Sequence, residues 1–109
     1  MIGNKSMQTH PKKRIDLMIE MPLLRLVMQR LDAAGVSGYS VLPVIAGSGR
    51  SGAWSADNQV GGAGQMAAIV CIVDASRVDA VLDAVFSVVA RQIGIVAVSD
   101  VAVVRPERF

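Results

Sequence analysis

Eight consecutive apolar residues, Met66–Val73, form the longest run in the chain without a polar or charged side chain. A membrane-spanning helix takes about 20 such residues, so this run is too short to be one. It reads instead as a central strand over residues 65–73, buried on both faces. A central strand needs neighbours on either side, and the rest of the sequence supplies them. Ile15, Leu17 and Ile19 alternate with Asp16, Met18 and Glu20, the period of two that marks a strand, with structure beginning at Lys13. Pro22 suits the first position of a helix. Leu23, Leu24, Leu26, Val27, Leu31 and Ala34 then recur at helical spacing, opposite Arg25, Gln29, Arg30 and Asp32. Gly35 is expected to cap that helix.

Residues 39–46 are β-branched and apolar and predict a second strand, in which Pro43 marks a sheet edge or a bulge. After the central strand, Asp74 or Ser76 is expected to cap a second helix, with Ser76 and Asp79 at capping-box spacing. Val78, Val81, Leu82, Val85, Phe86 and Val89 give that helix its apolar stripe. A last strand is expected over residues 95–98 and 101–104, interrupted at Ser99 and Asp100. The order β-α-β-β-α-β, with two right-handed crossovers, puts two helices on one face of a four-stranded antiparallel sheet. This is a ferredoxin-like α+β sandwich, an architecture that does not by itself give a function.

The chain has 109 residues, enough for one domain. Apolar residues make up 52% and aromatics only 4%, so the core must come from Val, Ile, Leu, Ala and Met. So apolar a small domain is also a candidate oligomer. The net charge of +2 comes from Lys5 and Lys12; the remaining residues carry nine basic and nine acidic side chains. Without clustered positive charge, binding to nucleic acid or to an anionic membrane loses its basis. Residues 1–12 are polar and without periodicity, and are expected to be a disordered leader. They lack the apolar core of a signal peptide, and the single cysteine, Cys71, allows no internal disulfide; both point to the cytoplasm.

Residues 47–64 are the informative segment. They contain six glycines, at 47, 49, 52, 61, 62 and 64. Two strands of a small sheet need only a few residues between them, and structureless loops beyond about 12–15 residues are usually functional or disordered. The only tryptophan, Trp54, lies near the middle, where a large aromatic side chain would dock onto a partner protein or back onto the body. At the root stand Gly47, Ser48, Gly49 and Arg50. Glycines let backbone N–H groups turn toward an anion, and a guanidinium adds paired donors. Catalysis has little support. His10 is the only histidine and lies in the leader, Cys71 sits in an apolar strand, and Asp79 and Asp83 belong to a polar helix face. No metal-ligand spacing is present.

The succession Gly35-Val36-Ser37-Gly38-Tyr39-Ser40-Val41, then Gly47-Ser48-Gly49-Arg50, then a long loop, resembles the PII signalling family over residues 13–109. That resemblance implies a homotrimer with adenine nucleotides in the clefts between subunits. The loop over residues 47–64, the T-loop, would switch with the nucleotide and grip or release a target protein. By position, Ser40 would meet the adenine. Gly47, Gly49 and Arg50 would meet phosphates, Gly94, Ile95 and Val96 would line the opposite wall, and Arg105 and Arg108 would add positive charge. The sequence departs from PII proteins proper in three places. Residues 91–96 lack the acid and lysine of the usual glycine-rich segment, Ser51 replaces a glutamine, and the loop has no tyrosine. Fewer cations favour ADP or AMP over ATP. The short glycine-apolar ending before Ser99 and Asp100 resembles the PII-like branch associated with bicarbonate transporters or carboxysomes. That branch implies a target of this kind in inorganic carbon metabolism, with bicarbonate as a second ligand near Arg50 and Ser51.

Three other readings share the architecture. A trimeric CutA-like metal-tolerance protein would need metal ligands, and a weak nucleotide hydrolase would need a base beside the phosphates. An ACT-like amino-acid-binding module would not need so long a glycine-rich loop.

Overall fold

The computed structural model describes residues 7–49, 52–55, 65–90 and 94–109. The chain runs through β1 (His10–Glu20), a 3-10 turn (Met21–Leu23), α1 (Leu24–Ala33) and β2 (Tyr39–Val44). β3 (Ala46–Gly49), β4 (Gly52–Ser55) and β5 (Met66–Val73) follow. A second 3-10 turn (Ala75–Arg77) leads into α2 (Val78–Val89), then β6 (Ile95–Val103) and a last turn (Pro106–Arg108). β2, β5, β1 and β6, in that order, form an antiparallel four-stranded sheet. The ferredoxin-like architecture read from the sequence is the one observed.

Both helices cover one face of the sheet. Ile15, Leu17 and Ile19 of β1 and Ala67, Ile69, Cys71 and Val73 of β5 point into the core. Val27 and Leu31 of α1, and Val81, Val85, Val88 and Val89 of α2, pack onto them. Pro43 lies on the edge strand β2, where a missing ladder donor costs little.

α1 ends in a Schellman motif. Gly35 takes a φ of +79°, its N–H donates to the Asp32 carbonyl at 3.0 Å, and the Val36 N–H reaches back to the Leu31 carbonyl at 3.1 Å. The Arg77 guanidinium donates to the Ala34 carbonyl and closes the same helix end from the side.

Five details differ from the sequence reading. β5 is central, but only alternate residues are fully buried, so its second face is half open in the single chain. β1 begins at His10 rather than Lys13, because His10, Pro11 and Lys12 stay in register with Val103, Ala102 and Val101 of β6. Residues 10–12 are therefore strand and not leader; residues 1–6 lie outside the described residues. β6 is continuous through Ser99 and Asp100, because an edge strand leaves polar side chains in solvent and Asp100 pairs with Lys13. Neither Asp74 nor Ser76 caps α2 through its side chain; the Asp74 carboxylate is engaged by Lys12. The second strand stops at Val44 instead of Ala46, and the chain resumes as a separate two-stranded ribbon, β3 with β4. The segment expected as a plain loop thus has paired strands at its root.

Candidate functional site

At the start of β2 the sheet edge opens into a pocket of about 370 Å³. Gly38, Tyr39 and Ser40 form one side, and Val70, Cys71 and Ile72 of β5 form the floor. Arg108 and Phe109, from the end of the chain, close the third side. Ser40 pairs with Val70 across the ladder, which places both on the sheet face that the helices do not cover.

The pocket is held by short-range bonds around it. The Ser37 hydroxyl donates to the Arg108 carbonyl at 3.3 Å. The Arg108 N–H donates to the Arg105 carbonyl and the Phe109 N–H to the Pro106 carbonyl, both at 3.2 Å, so the final turn is a defined piece of backbone. The Tyr39 hydroxyl donates to Asp32 at 3.1 Å. Partial burial, with the Asp32 carboxylate adding to it, pushes the Tyr39 phenol above its ordinary value. Burial, with the negative charge of Asp16 adding to it, pushes the Cys71 thiol up. Both groups are therefore neutral near pH 7, and Arg108 is the charged side chain lining the pocket. The resulting field favours an anionic or anion-bearing ligand.

Of the residues expected from the sequence, the structure brings Ser40 and Arg108 together in this pocket. Arg105 precedes the final turn. Gly47 and Gly49 lie on β3, in the ribbon, and Trp54 stands across from Gly47 on β4. The register pairs Gly49 with Gly52; Arg50 and Ser51 lie outside the described residues. Gly94, Ile95 and Val96 are not at the pocket. Ile95 and Val96 belong to β6, the edge of the sheet opposite β2. At Gly94 an added Cβ would come within 3.2 Å of the Met18 carbonyl oxygen and 3.6 Å of Val89 Cβ, so close packing alone favours glycine there.

Sequence reasoning did not single out Val70, Ile72 or Phe109. Val70 and Ile72 follow from the ladder once the register is known, since they share the open face with Ser40. Phe109 carries no periodicity or motif that could have marked it. Among the described residues no group of three His, Cys, Asp or Glu side chains could hold a metal ion, and no helix is long and apolar enough to cross a membrane.

The open sheet face carries an apolar patch beside the Arg14–Asp16 ion pair and Glu20 of β1. Leu42 (49% exposed) and Ile95 (59% exposed) lie on it, with half-buried Met18, Met66, Val70 and Ile72 between them. A solvated antiparallel face is normally polar.

The sequence model of the family described as nitrogen regulatory protein P-II matches residues 12–108. No curated protein matches the chain in sequence. Among solved structures, CPII, a nitrogen regulatory PII-like protein from Thiomonas intermedia K12, superposes with a TM-score of 0.84 at 24% identity. That match covers 95% of this chain and 98% of CPII, whose structure was solved with ADP, AMP and bicarbonate bound. A PII-like signalling protein from Thermus thermophilus gives a TM-score of 0.76 at 22% identity, covering 94% and 99% of the two chains. A DUF3240 family protein from Shewanella baltica gives 0.64 at 15% identity, covering 80% and 86%.

Proposed function

The chain belongs to the nitrogen regulatory protein P-II family, and from that premise we propose that it is a non-enzymatic regulatory subunit that binds ADP or AMP, works as a homotrimer and signals through its T-loop. The observation that carries this reading is the pocket in which Ser40 and Arg108 meet on the open side of the sheet. An adenine ring would sit against Ser40, and its phosphates would run toward positive charge from Arg108, Arg105 and Arg50. Backbone N–H groups around Gly47 and Gly49 would add donors to the phosphates.

Two features of the single chain support its association with further copies. The open face carries an apolar patch around Met18, Leu42 and Ile95, and burying it at about 25 cal/mol per Å² would favour association. The two walls of the expected nucleotide cleft lie on opposite edges, Ser40 on β2 and Ile95 with Val96 on β6. They can face each other only when β6 of one subunit approaches β2 of its neighbour. Each cleft then belongs to two chains, and ligand binding couples to assembly.

The poverty of cations selects between nucleotides. Each added phosphate brings charge that needs its own donor, and residues 91–96 supply no lysine. ADP and AMP are therefore favoured over ATP. CPII was solved with bicarbonate beside ADP, which supports bicarbonate as a second ligand here, held by Arg50 and Ser51. The partner gripped by the T-loop, with Trp54 as its anchor, would then be a cytoplasmic or membrane-bound component of inorganic carbon metabolism, a bicarbonate transporter or a carboxysome-related enzyme.

Isothermal calorimetry with AMP, ADP and ATP tests the reading, with and without bicarbonate. Binding of AMP or ADP more tightly than ATP is expected, alongside a trimer mass by light scattering. No heat with any adenine nucleotide, or a monomer at micromolar concentration, overturns it.

A further inference from the structure

We propose that the outer side of the helix layer is a docking surface for a second copy of this chain, with α1 of one copy lying against α2 of the other. The contact goes beyond the nucleotide reading and uses neither the pocket beside β2 nor the open sheet face.

The two helices carry opposite charge on their solvent sides. α1 has Arg25 and Arg30 against one acid, Asp32, whose carboxylate accepts the Tyr39 hydroxyl. α2 has Asp79 and Asp83 and no basic residue. Arg25, Arg30, Asp79 and Asp83 are all exposed, and none of them forms an ion pair with another described residue. Asp79 stands in the first turn of α2, where the helix dipole favours an acid. Asp83 lies one turn further on, facing a like charge at i,i+4, an arrangement that weakens a helix unless a cation reaches it from outside. Each charged stripe also holds a large apolar side chain in water. Phe86, 63% exposed, shares a face with Asp83, and Leu26, 40% exposed, shares one with Arg30.

A second copy of the chain is the partner these features fit. α1 and α2 pack side by side. When two copies are laid helix side to helix side, a two-fold axis running along the layer places each α1 over the other copy's α2. Arg30 of each copy then approaches Asp83 of the other, and Leu26 and Phe86 are covered in the same step, each contact occurring twice. A two-fold axis across the helices would instead set Asp79 and Asp83 against their own counterparts, which like-charge repulsion disfavours. With two exposed large apolar side chains per copy, the contact is small, so the association is weak, driven largely by charge and screened by salt. The open sheet face lies on the opposite side of the molecule, so assembly through the sheet and docking through the helices do not compete.

The test is sedimentation equilibrium of the full chain without nucleotide, over a range of about 10–500 μM, at low salt (about 50 mM) and at high salt (about 500 mM). The mass at high salt gives the unit assembled through the sheet. At low salt the mass is expected to rise with concentration above that unit. Asp83→Lys and Arg30→Glu are each expected to raise the dissociation constant of this step about 10-fold or more, because each reversal acts twice in a two-fold contact. The variant carrying both reversals is expected to return to within about threefold of wild type, a rescue that a role in the fold of one chain would not produce. Phe86→Ser is expected to weaken the step as well, and thermal midpoints at high salt are expected to match wild type, since all three positions are exposed. A mass that does not depend on salt up to the highest concentration overturns the proposal. So does a step that Asp83→Lys leaves unchanged or that the double variant fails to restore, and so does a helix face that retains another protein while its own mass stays constant. The nucleotide reading survives each of these results, because its pocket is untouched. A monomer at high salt would count against the trimer alone, and the helix contact would then be read as a step from monomer to dimer.

Discussion

Gly35 and Gly38 stand three residues apart in the same glycine motif, and the structure gives them opposite tolerances. At Gly35 the backbone has a φ of +79°, and an added Cβ would lie 3.0 Å from Nη2 of Arg77. An L-residue in that region costs about 1–2 kcal/mol. Arg77 is a flexible side chain and can withdraw, but it then gives up its bond to the Ala34 carbonyl, an exposed interaction worth at most about 1 kcal/mol. Gly35→Ala should therefore destabilise by about 1–3 kcal/mol. Escape to a negative φ would be no cheaper, since it opens the two Schellman hydrogen bonds to Asp32 and Leu31. With a urea m-value of about 1.5 kcal/mol/M, the unfolding midpoint drops by between roughly 0.7 and 2 M. Gly38 has no positive φ, and its added Cβ meets nothing within 4 Å. Gly38→Ala should be neutral, or stabilising by up to about 1 kcal/mol through the unfolded chain. Urea unfolding followed by circular dichroism measures both, at one fixed chain concentration because assembly contributes to stability. If the two variants shift the midpoint equally, or Gly35→Ala leaves it in place, the account of the α1 terminus is wrong.

Three further outcomes are expected. Arg50→Ala should weaken AMP and ADP binding by about 1.5–3 kcal/mol, the value of a charged hydrogen bond, as read by calorimetry; an unchanged constant moves the phosphates elsewhere. The Cys71 thiol is raised by burial first and by Asp16 second, so the unfolded chain loses its proton before the native one does. Native stability is then fully present below the ordinary thiol value of about 8.5 and falls as pH rises through the higher native value. Urea midpoints between neutral pH and about pH 10.5 should decline, and Cys71→Ala should flatten the decline even though it lowers the starting stability; parallel slopes would remove Cys71 from the explanation. Leu42→Glu puts a further charge on the open sheet face and should convert the proposed trimer to monomers by light scattering, with the far-ultraviolet spectrum retained; a persistent trimer means that another surface joins the subunits.

Element type and order were legible because each element carries its own period. Ile15, Leu17 and Ile19 announce β1 by alternation, and Val81, Val85 and Val89 announce α2 by helical spacing. What escaped were features set by partners distant in sequence. His10 to Lys12 look like a polar leader until β6 is laid beside them. Asp74 looks like a helix cap, yet Lys12 from β1 takes its carboxylate. Ser99 and Asp100 look like a break, yet an edge strand tolerates them and Lys13 binds the second. In each case a contact between strands overrode a local signal.

The site was legible in a different way. The glycine motif lies at the start of β2, where the pocket opens, and Gly47 and Gly49 lie on β3, away from it; residues on opposite sheet edges cannot be related from one chain's sequence. Ser40 and Arg108 share a pocket because the final turn folds back over β2, tied by Ser37. Ile95 and Val96 lie across the whole width of the sheet from them. Resemblance named all four as contacts to one ligand, and the topology turns that into a geometric demand: they meet only if a second chain brings its β6 edge to this β2 edge. The apolar patch on the open face supplies a driving force for that approach, and the pocket supplies the half of the site that exists before it. Ligand binding in such an arrangement has two separable components, a one-chain component at the pocket of Ser40 and Arg108 and an interface component at the residues that follow Gly94. A variant that dissociates the trimer should accordingly retain weak binding with little preference among AMP, ADP and ATP, because recognition of the ring survives while the second wall is lost. Complete loss of binding on dissociation would mean that the base, too, needs both chains.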